Sequence, residues 1–571
     1  MRKKVWLVAI LIAALIAVIA GVGLFEEHKM EFADGEVYPE IEIIEHEIKT
    51  TVKPWEDSET GLVHFFLPGG IDSTTVYLGS VSSDNLRIGE DFKGKFTFTE
   101  EKEYSISYKG RAFKAVFHTI PNMSSVFIDT KSKSSKTINS DKEKTETGKI
   151  LSISKEGTVE YYGKVKEIKG HGNLTWTSSE EKKPYSVKLE DAANIGELSS
   201  VNEFILLGMY HDGDKIHTKL ALDLAQIFDP EVSVRSTYIN LYLNGNYLGL
   251  YLATDPPKKI EKLNSDECEF LVEKDLYERA MEEDHFSIDS GDYFSVGRPK
   301  NPTKEFLNSI NAYIQKVDDN IREGNTDYID VESFAKQSTI QFLSHNVDAM
   351  RTSSFFYKMK DDNLLYAGPA WDFDSGFGEA YPLGERYVSP QGSNYLEDFF
   401  QLQWFCILEK NDYFRGEVQR VLLEHLDEID NLFTEKIDNY EKMIEKACHA
   451  ENIRWKWTDI KEYYRGGHYQ EWKNNVKFLK YFCQSRLEYI CSLYDIDTST
   501  AHFEGNGEIH KLSFVDNGRV ILELEVKDGE MVNTDDYPEL SDKKWMFPYF
   551  EEVLYKNVPI FEDCELVPYI Y

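Results

Sequence analysis

The stretch from Val5 to Phe25 carries no charged residue and follows Met1-Arg2-Lys3-Lys4. A run of about 20 apolar residues is what a helix needs to cross the hydrocarbon core of a bilayer. The basic residues ahead of it favour a cytoplasmic N-terminus, so the remaining chain is expected outside the cytoplasm. Two readings stand: a signal-anchor helix over residues 1–26, and a cleavable signal peptide with Val18-Ile19-Ala20 as its processing site. The run is longer than the usual signal-peptide core, which favours the anchor. The expected location is therefore the cell membrane, single-pass with extracellular C-terminal domains, or secretion if the segment is cleaved. No cysteine lies near the end of the run, which excludes a lipoprotein.

The chain as a whole is acidic, with a formal net charge of −36 at pH 7. That excludes nucleic acid as a natural partner, because a phosphate backbone would be repelled. The same surplus means that a nucleotide site would need a metal ion and a locally basic lining. With 571 residues, two or three domains are expected, and 34 Tyr, 34 Phe and 9 Trp supply ample core. The six cysteines are scattered without metal-ligand spacing. Cys483 and Cys491 share a predicted helix, where about 12 Å of rise separates them, too far for a disulfide.

The fold class expected is α+β. Residues 27–57 read as an acidic linker, and 58–121 as a small β-sandwich of short alternating strands. Lys131 to Thr147, crowded with Ser and Lys, reads as an exposed loop. A mixed α/β domain covers 122–497. Its clearest element is a hairpin, Thr237 to Leu243 and Tyr247 to Tyr251 around Asn244-Gly245, since Asn-Gly between alternating runs is the strongest short hairpin signal. Helices are predicted at 303–323, 331–346, 412–449 and 470–494, with a strand pair at 354–371 and a break at Gly466-Gly467. A β-rich module closes the chain at 503–571.

Three peptides carry candidate chemistry. In Pro369-Ala370-Trp371-Asp372-Phe373-Asp374-Ser375-Gly376, alternation puts Asp372 and Asp374 on one face. Paired carboxylates beside a Gly-rich exit suit a hard cation such as Mg²⁺, and an acidic turn at a strand end is the bland alternative. Asn346-Val347-Asp348 ends the helix from 331; it reads as a helix stop, or as an Asp and Asn placed around metal and hydroxyl. Lys169-Gly170-His171-Gly172-Asn173-Leu174-Thr175-Trp176 and Lys182-Lys183-Pro184-Tyr185-Ser186-Val187-Lys188-Leu189 supply local basic charge. Glycines there let backbone N–H groups approach phosphates, while a solvated strand face explains most of these lysines equally well.

Taken in chain order, these peptides resemble the CotH kinase family, atypical protein kinases first known from a bacterial spore-coat protein. The resemblance rests on Gly170 to Trp176, Lys182 to Leu189, the Tyr242 to Tyr251 hairpin, Asn346 to Asp348, and Pro369 to Gly376, and runs from about Ser124 to Tyr494. It implies an atypical kinase-like fold using ATP with Mg²⁺ or Mn²⁺ to phosphorylate Ser or Thr of a protein substrate. It further implies Asp348 and Asp372 as catalytic carboxylates, and Asp372, Asp374 and Asn346 around the metal. Lys188, Lys183, Asn173, Asp255 and Trp371 would surround the nucleotide. The chain departs from the family where His171 and His217 stand in place of Arg and Asp255 in place of Glu. Imidazole carries little charge at neutral pH, so a non-catalytic pseudokinase module for cell-surface assembly or binding is the alternative function. AMP transfer onto protein is a third. The tail, through Leu512 to Gly518, Val526 to Glu530, Trp545 and Pro559 to Asp563, is similar to bacterial surface β-grasp repeats.

Overall fold

Asn244 and Gly245 both take positive φ, 53° and 83°, the backbone that a two-residue hairpin turn requires and that Asn-Gly tolerates best. The strands they join, Ser236–Leu243 and Asn246–Thr254, are almost wholly buried. The computed structural model describes residues 38–569 apart from 46–47, 71–74, 78–85, 89–94, 179–181, 211, 379–388, 392–402, 457–468, 470, 498–502, 533–536, 541–543 and 547–558. The Val5–Phe25 run, its processing site and Gly466-Gly467 lie outside the described residues. Among the described residues no helix is long and apolar enough to cross a membrane.

Numbered along the chain, β1 (Ile41–Glu45), β2 (Ile48–Val52) and β3 (Trp55–Glu56) occupy the stretch expected as a linker. Tyr38, Ile41, Ile43 and Val52 are buried there, so the alternation of apolar residues among the acids outweighs the acidity. β4 (Leu62–Pro68), β6 (Leu86–Ile88), β8 (Tyr104–Tyr108) and β9 (Arg111–Ile120) join β3 in one five-stranded sheet, and β5 (Thr75–Tyr77) pairs with β7 (Lys95–Thr97).

The mixed domain begins with a closed barrel. Its strands are β10 (Ser124–Thr130), β11 (Glu146–Ile153), β12 (Val159–Gly170), β13 (Tyr185–Ile195), β14 (Leu198–Leu207) and the hairpin strands β15 (Ser236–Leu243) and β16 (Asn246–Thr254). Its order is β10-β11-β12-β13-β14-β16-β15, closed by a parallel pairing of β10 with β15. Val187 opposite Phe204 fills the interior, while Lys188 opposite Glu203 faces outward, as the period-2 alternation requires. The presumed Ser/Lys loop holds a short helix, α1 (Lys136–Ser140). Ile138 buries in the barrel core, and Asn139 Oδ1 accepts the Tyr185 hydroxyl at 2.8 Å.

Helix α2 (His217–Phe228) lies between β14 and β15. After the hairpin the chain builds a second sheet of β17 (Cys268–Asp275), β18 (His285–Ser287), β19 (Tyr293–Arg298), β20 (Ser354–Met359) and β21 (Tyr366–Ala367). α3 (Lys304–Arg322) and α4 (Val331–Ser344) pack on this sheet, α5 (Asp412–Asn431) and α7 (Trp472–Leu493) pack on α4, and α6 (Ile437–Trp455) packs on β16 of the barrel and on β9. α5 and α6 are the single helix expected from 412, joined through a π-helical turn at Leu432–Lys436. The last strands, β22 (Ile509–Asp516), β23 (Arg519–Lys527), β24 (Lys544–Met546) and β25 (Cys564–Tyr569), form a mixed four-stranded sheet. All six cysteines are free thiols.

Candidate active site

Two loops meet where α4 ends. α4 starts at Asp330, whose carboxylate caps Ser333 N at 2.8 Å. It stops at His345, whose φ of 47° turns the chain away, and the Asn346–Asp348 loop follows. The second loop leaves β21 through Gly368, at φ 124°, and carries Trp371 to Gly378. Main-chain bonds zip the two together: Val347 N donates to Ser375 O (3.2 Å) and Phe377 N to Ser344 O (2.5 Å). Asn346 completes the seam, donating Nδ2 to Asp372 O (3.0 Å) while its Oδ1 accepts Asp348 N (3.1 Å). The trailing glycines follow from this closeness. A Cβ on Gly376 would stand 3.2 Å from Phe373 O, and one on Gly378 2.8 Å from the Phe478 ring.

The structure thus brings Asp348, Asp372, Asp374 and Asn346 together. Asp348 pairs with Arg351 at 3.1 Å, and Asp372 accepts the Ser353 hydroxyl at 2.9 Å. A third wall comes from the segment before α2. His217, fully buried, bonds Asp214 Oδ2 at 2.9 Å and faces Asp212 Oδ1 at 3.5 Å. Burial works to raise the Asp214 carboxyl, but His217 and two backbone N–H groups hold it below its ordinary range. Asp348 is raised, by burial first and then by the charge of Asp372, against the pull of Arg351. Asp374 is raised well above the carboxylate range by burial and by Asp372, Asp348 and Asp212. Carboxylates crowded this way favour a cation among them.

Backbone strain gathers at the same place. Met209, Lys215, His345, Met350, Ser353, Asp372 and Phe377 are non-glycine residues with φ between 47° and 66°, in the three segments that form these walls. Left-handed backbone costs such residues about 1–2 kcal/mol each, and it persists where packing over-determines it, commonly at functional sites.

The other candidate residues have partners on or beside the barrel. Lys188 is paired with Glu167 on the neighbouring strand at 2.6 Å. Lys183 donates to Trp176 O at 2.6 Å and sits over the Trp176 ring. Gly170 leaves room for that same ring, which a Cβ there would overlap, so packing accounts for the Gly-to-Trp spacing. Asn173 is exposed and accepts Lys142 Nζ. Asp255 holds Arg235 with both oxygens, at 2.6 and 3.0 Å. Trp371 is half-buried against the main core. His171 is kept neutral, its pKa pulled down to about 4 by burial and by Lys169 and Lys142.

Lys182, seen in the sequence only as one of a basic cluster, is wholly buried and ion-paired with Glu451 of α6. Its Nζ also donates to Leu250 O (2.7 Å), while Glu451 Oε1 accepts Leu250 N (2.7 Å). Burial pulls the ammonium down to about 8, against the pull of Glu451. Gly249, at φ 109°, is what admits Glu451, because a Cβ there would strike its carboxylate. Sequence reading missed Glu451, which lies in an ordinary acidic helix far along the chain. It also missed Asp212, although Asp212-Gly213-Asp214 just before a helix start is a legible sign, and Arg351, three residues after Asp348.

Hard oxygen donors are present, and their mutual repulsion fits a divalent cation. No three of these carboxylates lie within the 4.8 Å that a shared ion would need; among the described residues that holds for Glu508, His510 and Asp528 in the C-terminal sheet. There Lys477 already occupies Asp528 at 3.1 Å. Mg²⁺ is commonly held by one or two carboxylates, with water and phosphate oxygens completing its shell.

The profile of the CotH kinase protein family matches residues 167–490, more than half of the chain. The chain belongs to the CotH kinase family. The match covers β12 to α7 and includes both acid loops, the Asp212 segment and the Lys182–Glu451 pair. No curated protein matches the chain. Membership makes this an α+β protein with a possible atypical kinase role.

Proposed function

We propose that the chain transfers the γ-phosphoryl group of ATP to a Ser or Thr hydroxyl of an exported or surface protein, with Mg²⁺ or Mn²⁺ required. The observation that carries this reading is the seam that holds Asp348 beside Asp372 and Asp374 under one Arg, within a family of kinases. Asp348 accepts the acceptor hydroxyl's proton, and Arg351 at 3.1 Å favours its ionised form. Asp372, oriented by Ser353, and Asp374 hold the cation. Asn346 is spent on fixing the two loops and serves as a positioning residue. The cation, when bound, supplies neutralisation of the charge on the phosphates. The N-terminal apolar run of the sequence supports a location outside the cytoplasm on a membrane anchor.

A non-catalytic binding module is the second reading, favoured by Lys188 being engaged by Glu167 and by a neutral His171 where the family has Arg. Asp372→Asn separates the two. It should leave the melting temperature without nucleotide unchanged within a degree or so. It should abolish the metal-dependent melting shift caused by ATP, and cut transfer from γ-labelled ATP by roughly a thousandfold or more. Asp348→Asn should keep most of the ATP shift and lose turnover. A wild-type rate for Asp372→Asn removes the catalytic reading.

A further inference from the structure

Between the N-terminal sheet and helices α6 and α7 lies a cavity of about 490 Å³, a volume typical of small-molecule sites. Neither Trp371 nor Asp348, Asp372 or Asp374 lines it. It reaches the acid cluster only through Asp212, which stands in both walls.

Two features say what it would hold. Six carboxylates line it against three lysines. Lys446 is matched by Glu100 at 2.6 Å, Lys473 by Glu445 at 2.5 Å, and Glu451 by Lys182 from behind. The third lysine, Lys215, donates to Met209 O at 2.6 Å, and His118 is held neutral, its pKa pulled down to about 3 by burial and by two neighbouring histidines. Glu101, Asp212 and the exposed Glu471 remain as the cavity's carboxylates without a lysine on them among the described residues; Glu101 faces His449 at 3.2 Å, and Asp212 Oδ1 faces His217 at 3.5 Å. The second feature is Asp212 itself. It is 2 % exposed, and among the described residues its Oδ2 has no hydrogen-bond partner. A buried carboxylate oxygen left so is costly, and a donor arriving in the cavity removes that cost. Trp472 adds an aromatic wall; its Nε1 is already committed to Asp214 O at 2.7 Å, which leaves the ring for packing against a cation.

We infer that this cavity is a second binding site, for a small organic cation such as an amine or guanidinium, with Asp212 as its counter-charge, Glu471 at its rim and Trp472 as its wall. The site stands independently of phosphoryl transfer, since binding there uses neither ATP nor metal.

The test is calorimetric titration of the full chain, free of nucleotide and metal, with butylguanidinium and butylammonium as cationic probes, and butyrate and butanol as charge controls. Saturable binding of the cations is expected, at least tenfold tighter than of butyrate or butanol. Asp212→Asn should weaken it tenfold or more and Glu471→Gln about threefold, with thermal melting confirming that each variant folds. Glu471→Gln lies at an exposed position, so it decides the matter should Asp212→Asn not fold. Butyrate binding as well as the cations, equal cation affinity in the variants, or no saturable cation binding at tens of millimolar would each overturn the assignment. Asp372→Asn should bind the probes like the wild type, which separates this site from the one proposed for ATP.

Discussion

The molecule buries charge in two places and treats it in opposite ways. At Lys182–Glu451 one cation meets one anion, and Leu250 supplies a carbonyl to the ammonium and an N–H to the carboxylate. A glycine is set aside so that the carboxylate fits. At the two acid loops the scheme reverses: burial and the charge of Asp372 raise Asp348, and burial with Asp372, Asp348 and Asp212 raises Asp374, with Arg351 the cation paired to Asp348. The first centre ties the barrel to α6 and is complete. The second leaves repulsion standing, and natural proteins tolerate such unresolved cost mainly where chemistry or binding uses it. The contrast, rather than either cluster alone, sets a satisfied ion pair apart from an unsatisfied acid cluster.

Breaking the balanced pair should give the largest effect on stability. Glu451→Ala strands a buried ammonium, and urea unfolding should show a loss of about 3–5 kcal/mol. Replacing both partners, as in Lys182→Met with Glu451→Leu, should recover most of that, because the interior is then free of unpaired charge. Equal losses in the single and double variants would mean that the pair is not what stabilises the junction.

Gly249→Ala sharpens the same point from the backbone side. Alanine at φ 109° is strained, and its methyl group collides with the Glu451 carboxylate, so a loss of about 2 kcal/mol is expected. In a Glu451→Ala background the steric part should vanish and the two losses should fall short of additivity.

The unbalanced centre should respond with the opposite sign. Asp374 has a folded pKa raised above its unfolded value. Its favourable contribution is therefore full below the unfolded pKa of 3.8 and is lost as pH rises through the folded pKa. At pH 7 the residue is a net cost, so Asp374→Asn should stabilise the metal-free protein. The gain should be about 1 kcal/mol, discounted for partial solvent contact, and should disappear near pH 3.5. A loss of stability at pH 7 would show that the cluster is structurally satisfied.

The sequence spoke clearly where local pattern and geometry coincide. Asn244-Gly245 announced its hairpin, and α3, α4 and α7 start and stop within two residues of their periodic patterns. The Asp372/Asp374 and Asn346/Asp348 peptides are each legible in the sequence as candidate chemistry, and the fold brings them into contact. Elsewhere long-range packing decided matters that local pattern cannot express. Strands β1 to β3 were hidden because their apolar residues alternate with acids in a segment read for charge. Lys183 and Gly170 were read for phosphate, yet both serve the Trp176 ring. Glu451 acquires meaning only from Lys182 and Leu250, more than two hundred positions away.

The barrel's closing seam has a consequence for how the chain comes to be folded at all. β10 pairs in parallel with β15, more than a hundred residues later, and β16 must insert between β14 and β15. Until residue 254 has joined, β10 to β14 form an open sheet with two unpaired edges, and the β10 edge, with Val126, Phe127 and Ile128, is an apolar template for other strands. Long-range parallel closure of this kind is slow, because loop entropy is lost before contacts repay it. A nascent or truncated chain ending between Leu207 and Thr254 should therefore aggregate, whereas one that extends past the hairpin should not.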